Sequence, residues 1–170
     1  MRHPSRTITS LAVVVTAMLG VTASADPASG GGAAETDAHG SLSCQAHVPV
    51  KVLPPWARAG FSESVPRMPF VLGMDGSIAA ILWANPLQSP PPKSHNNKIL
   101  WVSRASTRPG SDLRISAQAI TRSRPVGQPV QRVVEGGPGP SIINLPHAGC
   151  YELTLRWSGH TDRLDLEYVR

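Results

Sequence analysis

Proline decides most of what this chain can become. Seventeen of its 170 residues are proline, and sixteen of those follow residue 25. A proline inside a helix removes a hydrogen bond, clashes with the preceding turn and costs about 3 kcal/mol. At this density long helices are excluded. What remains between the prolines is a series of short apolar runs bounded by Gly, Asn and Ser, the punctuation of a β-protein.

The candidate strands are 46–53, 68–73, 77–84, 98–104, 112–120, 130–134, 150–157 and 163–169. Leu113, Ile115, Ala117 and Ala119 alternate with Arg114, Ser116 and Gln118, and Leu164, Leu166 and Tyr168 alternate with Asp165 and Glu167. That period of two marks half-buried strands. The stretches around Ile78–Trp83 and Ile99–Val102 are apolar on both faces, as in central strands, with Trp83, Trp101 and Trp157 expected in the core. Ser158-Gly159-His160-Thr161 reads as a hairpin turn, and Asp75-Gly76 as another. No amphipathic stretch of helical length separates the strands, which excludes an α/β fold. The expectation is an all-β domain, an antiparallel β-sandwich of immunoglobulin-like build with about eight strands. A small closed β-barrel is the alternative.

Residues 1–25, MRHPSRTITSLAVVVTAMLGVTASA, carry the marks of a secretion signal. Arg2 and Arg6 precede an apolar run from Leu11 to Val21, and Ala23-Ser24-Ala25 supplies small residues for cleavage before Asp26. The run is short for a bilayer span, which needs about 20 residues. Removing it lowers the formal net charge from +5 to +3, because Arg2 and Arg6 go with it. Residues 26–43, DPASGGGAAETDAHGSLS, are small, polar and Gly-rich, and read as a flexible linker. The folded domain is then 44–170.

Export changes the meaning of the two cysteines. Cys44 opens the first candidate strand and Cys150 the penultimate one, behind the turn-rich approach GGPGPSIINLPHAG. In an oxidising compartment, a Cys44–Cys150 disulfide is the default pairing. Two free thiols, or a lipidated Cys44 with Cys150 free, are the alternatives.

The stretches LPPWARAGF (53–61), NNKILWVSR (96–104), GPSIINLPHAGCYELTLRW (139–157) and DRLDLEYV (162–169) resemble an uncharacterised family of secreted or lipid-anchored actinobacterial proteins. The likeness spans most of residues 44–169, and Trp commonly stands there in place of Tyr151. The resemblance implies export and a β-rich domain. It implies no activity and assigns no site residues.

Catalytic signatures are wanting. Gly139-Pro140-Ser141-Ile142-Ile143 lacks the last glycine of a nucleophile elbow, so Ser141 reads as a turn residue. His39, His47, His95, His147 and His160 show no metal-ligand spacing, and Met68 and Met74 read as core filler, so neither metal nor cofactor is expected. Asp162, Asp165 and Glu167 read as a solvated strand face.

The basic residues carry more information. Arg104, Arg108, Arg114, Arg122, Arg124 and Arg132 lie within 29 residues that hold a single acid, Asp112. Were their strands neighbours, one face would present guanidinium groups suited to bidentate contact with phosphate or carboxylate. The partner would be an anionic cell-wall polymer, a lipid surface or an acidic protein; nucleic acid is not expected of an exported chain without interleaved aromatics. Trp56, behind a rigid Pro-Pro step, is the tryptophan expected at the surface, and the loop 85–97 with Lys93 and His95 a candidate rim. The functional expectation is an exported, non-catalytic binding or structural module at the cell envelope. An enzyme of envelope metabolism and an extracytoplasmic metal-handling protein are the alternatives.

Overall fold

The structure, a computed structural model, describes residues 44–170. The expected secretion signal and linker lie outside the described residues. Ten strands follow one another: β1 (Val50–Val52), β2 (Arg67–Leu72), β3 (Ile78–Leu82), β4 (Leu87–Gln88), β5 (Lys98–Ser103), β6 (Leu113–Thr121), β7 (Arg124–Val134), β8 (Pro140–Ile142), β9 (Gly149–Trp157) and β10 (His160–Val169). They form two five-stranded sheets, ordered β1-β2-β3-β5-β8 and β4-β10-β9-β6-β7. The domain is a β-sandwich and not a closed barrel. Every pairing is antiparallel except that of β4 with β10.

The alternation read from the sequence supplies the core. Ile78, Ala80, Leu82, Ile99 and Trp101 face inward from the first sheet, against Leu113, Ile115, Tyr151, Leu153, Leu155, Trp157, Leu164 and Leu166 of the second. At about 25 cal/mol per Å2 of apolar area, each large side chain buried here stabilises the fold by about 1.5–3 kcal/mol. The polar ends of the buried aromatics are satisfied. Trp101 Nε1 donates to Ser141 Oγ at 3.0 Å and Trp157 Nε1 to Ser103 Oγ at 2.9 Å. Burial pushes the Tyr168 phenol above its usual range, and its hydroxyl donates to Ile143 O at 2.8 Å. Tyr151, at the start of β9, donates to His147 O four residues upstream, the corner bond seen in immunoglobulin-like sandwiches.

β3 is buried on both faces because the first sheet has a second cover. Leu53, Trp56, Ala57 and Phe61, on a segment that includes the 3-10 turn Pro55–Ala57, pack on Ile81, Phe70, Leu100 and Val102 of its outer face. Trp56 is therefore half-buried, and the exposed indole is Trp83, 53% accessible. Trp83 follows Ile81 by two positions, so the strand's own parity turns it outward, away from the core where its apolar neighbours suggested it belonged.

Three further expectations are corrected. The first strand is confined to Val50–Val52, and Cys44 lies ahead of it in irregular chain. Ser141 sits on β8 opposite Ile99, not in a turn. β7 begins at Arg124, because the turn before it is built on Arg122 and Ser123 at φ 50° and 60°, positions that glycine or asparagine usually fills.

Cys44 and Cys150 form a disulfide, with Cα atoms 5.8 Å apart. Cys150 alternates with the inward Tyr151, so the bond lies on the outer side of the second sheet. Such bonds persist in oxidising compartments, which points to an extracytoplasmic protein. No helix among the described residues is long and apolar enough to cross a membrane.

Candidate functional site

The register decides which arginines meet. β6 pairs with β9 so that Arg114 lies directly opposite Arg156, both on the outer face of the second sheet and both exposed. Like charges in that relation destabilise a sheet. Among the described residues neither guanidinium has a hydrogen-bond partner, whereas Arg132 donates to Asn144 O through Nε at 3.0 Å and Nη2 at 2.7 Å.

The two arginines border a cavity of about 270 Å3 at the end of the sandwich, shared with Asp112, Ser158, His160 and Thr161. Local structure holds this rim in place. The β9–β10 turn is Ser158-Gly159, both at positive φ (47° and 86°), the twist a two-residue hairpin needs. Ser158 is fixed from two sides: its N–H donates to Ser111 Oγ at 2.9 Å, and its Oγ accepts from Arg108 N at 2.8 Å. Asp112 Oδ1 accepts from Gly136 N at 3.1 Å, which ties the one local acid to a neighbouring turn. The His160 ring lies 5.7 Å from that of Trp157. Arginine forks, hydroxyls and an imidazole around an open cavity can hold a phosphate or carboxylate group.

The arginine run thus divides. Arg108 and Arg114 stand at this end, and Arg104 follows the nearby end of β5, with its N–H on Ser77 O at 2.8 Å. Arg122 and Arg124 belong to the β6–β7 turn at the other end of β6, roughly 25 Å away at about 3.3 Å per residue. Arg132 pairs in register with the inward Ile115 and is a structural tie between the sheets. Arg156 was not among the sequence candidates. It lies outside the run, and only the pairing of two strands distant in sequence brings it to Arg114.

Along the same face the charge reverses. Asp165 lies opposite Glu152, with Glu167 opposite Cys150. Both Asp165 oxygens are shielded from solvent and lack hydrogen-bond partners. Burial first, and the Glu152 charge second, push this carboxyl up to about 6. The folded protein therefore keeps a proton that the unfolded chain loses near pH 4, and stability falls as pH rises from about 4 through 6. Asp165→Asn is expected to add about 1 kcal/mol at pH 7, a figure discounted because the residue as a whole is only partly buried, and nothing at pH 3.5. Urea titrations at the two pH values check this; an equal gain at both would remove the titration as its cause.

The proposed rim loop is largely structural. Asn97 is fully buried and bonds to Gln88 N, Gln88 O and Asn144 Oδ1 at 2.8–2.9 Å, and His95 is partly buried, leaving Lys93 exposed. Met68 and Met74 are apart in character, the first packed under the covering segment and the second 55% exposed. No group of three or more His, Cys, Asp or Glu that could hold a metal ion occurs among the described residues. Neither a family model, nor a curated protein, nor a solved structure matches this chain.

Proposed function

We propose that this protein is an exported, non-catalytic binding module of the cell envelope that holds an anionic cell-wall polymer at the arginine-bearing end of its sandwich. The reading includes membership of the actinobacterial family that the sequence resembles. The carrying observation is the cross-strand pair Arg114–Arg156, two like charges without hydrogen-bond partners among the described residues, beside an open, hydroxyl-lined cavity that holds one acid, Asp112. A bound phosphate or carboxylate would relieve that repulsion. The positive net charge and the disulfide, which suits an oxidising exterior, support the same reading.

Purified cell walls are the test. The protein is expected to sediment with them at low ionic strength and to be released near 1 M salt, where the Debye length falls to about 3 Å. Arg114→Gln/Arg156→Gln is expected to weaken retention about tenfold, at roughly 0.7 kcal/mol or more for each charge-assisted hydrogen bond removed. Arg122→Gln/Arg124→Gln, at the far turn, leaves it unchanged. Retention that persists in the first variant, or is absent at low salt, would overturn the proposal.

A further inference from the structure

The covering segment Leu53–Phe61 packs on Met68 but leaves Lys51, Trp83, Lys98 and Ile142, in the same row of the first sheet's outer face, exposed. Register places Lys51 beside Met68 and Lys98 beside Ile142. Trp83 stands between these pairs, its N–H on Lys98 O at 3.0 Å. The indole is 53% exposed and Ile142 56%. Phe61 holds its ring parallel to the indole, with planes 5° apart and centroids 6.2 Å apart. Lys98 Nζ lies 5.2 Å from the indole centroid.

An indole that keeps half its surface in solvent, with Phe61 stacked at an offset on it, suits a partner with an apolar face. The C–H face of a sugar ring is such a partner, since its hydroxyls stay in water while the ring stacks. The charges narrow the class. Lys98 is at the ring, Lys51 is two strands away at about 10 Å, and no acid shares the row, so acidic substituents are matched on both sides. A membrane is the poorer fit, because the apolar groups lie in the plane of a sheet between two cations and do not project from a loop tip. We propose that this row is a docking site for an acidic polysaccharide, a sugar ring stacking on Trp83 and its carboxylates meeting Lys98 and Lys51. Trp83 directly follows β3, at the opposite end of the strand from Ser77 and Arg104, so this site is separate from the Arg114–Arg156 pair.

The test uses the full chain carrying Arg114→Gln/Arg156→Gln, which silences the other site. Polygalacturonate is titrated by tryptophan emission and affinity electrophoresis, with dextran as the neutral polymer and phosphatidylglycerol vesicles as the lipid surface. Polygalacturonate is expected to bind, and dextran about tenfold more weakly. Trp83→Ala weakens the acidic polymer about tenfold, whereas Trp83→Phe and Lys98→Gln each weaken it about threefold. All three variants keep the parent melting temperature within a few degrees, as substitutions of exposed residues do. Polygalacturonate affinity that is nil or unchanged in Trp83→Ala, or vesicle binding in place of polymer binding, would overturn the proposal and leave the arginine reading untouched.

Discussion

Replacing Cys44 and Cys150 by serine is expected to lower the unfolding free energy by about 4–5 kcal/mol. The bond joins residues 106 apart. Closing a loop of that length removes much of the unfolded chain's freedom, and the chain-entropy argument places the effect in this range. For a domain of this size the melting temperature should fall by about 15 °C. Either serine alone has nearly the full effect, because each breaks the same bond. Calorimetry with and without reductant measures it, and a loss below about 1 kcal/mol would mean that the unfolded chain is constrained by something else.

Asp162→Ala is expected to cost about 3–4 kcal/mol. Asp162 is 1% exposed, yet its carboxylate is the best-bonded group in the domain. Oδ1 accepts from Asp75 N at 3.0 Å and Arg163 N at 2.8 Å, and Oδ2 accepts from Ser77 N at 3.0 Å and Ser77 Oγ at 2.8 Å. The side chain thereby ties the β2–β3 turn of one sheet to β10 of the other. It fits so closely that a Cβ at Gly73 would collide with it. Removing it strands three backbone N–H groups, each costing about 1–3 kcal/mol when left unpaired in the interior, less whatever water recovers. Burial alone would raise this carboxyl, but the four hydrogen bonds outweigh burial and hold it below the usual range. A lowered folded value means stabilisation that is full above the ordinary pKa of about 3.9 and lost as pH falls through the folded one. Asp162→Asn should therefore differ from the native protein most at pH 7 and least below pH 3. Unfolding curves offset equally at both would exclude the ionised carboxylate as the source.

The two aspartates on β10 act in opposite senses. Asp162 makes acid destabilising and Asp165 makes it stabilising, three residues apart on one strand. Nothing in the sequence distinguishes them beyond parity: Asp162 falls on the inward series with Leu164, Asp165 on the outward one. Parity was readable, and so were β6, β9 and β10, where apolar residues alternate and Ser158-Gly159 marks the turn. β4 was not readable, because two residues show no period and are held by the Asn97 amide instead. β8 was hidden by Pro140, and the start of β7 by a turn without glycine, followed by Pro125, Gly127 and Pro129. The site was legible as composition only. An arginine-rich run is visible in one dimension, but which arginines face each other depends on hairpins about 40 residues apart, as Arg114 and Arg156 show.

The disulfide also sets how the domain would respond to tension. Force applied at the amino end does not have to peel β1 away from β2, because at Cys44 it crosses through sulfur to Cys150. Residues 45–149 then lie off the loaded path. Beyond Cys150 the covalent path runs through β9 and β10, which pair with each other along nine registered positions and with β6 and β4 on their other edges. The extensible length is about 20 residues beyond Cys150, near 70 Å at full extension. Under such tension the Trp83 row lies off the covalent path, whereas Arg156 lies on it, so extension would part Arg156 from Arg114 and release an anion held between them while the other row keeps its grip.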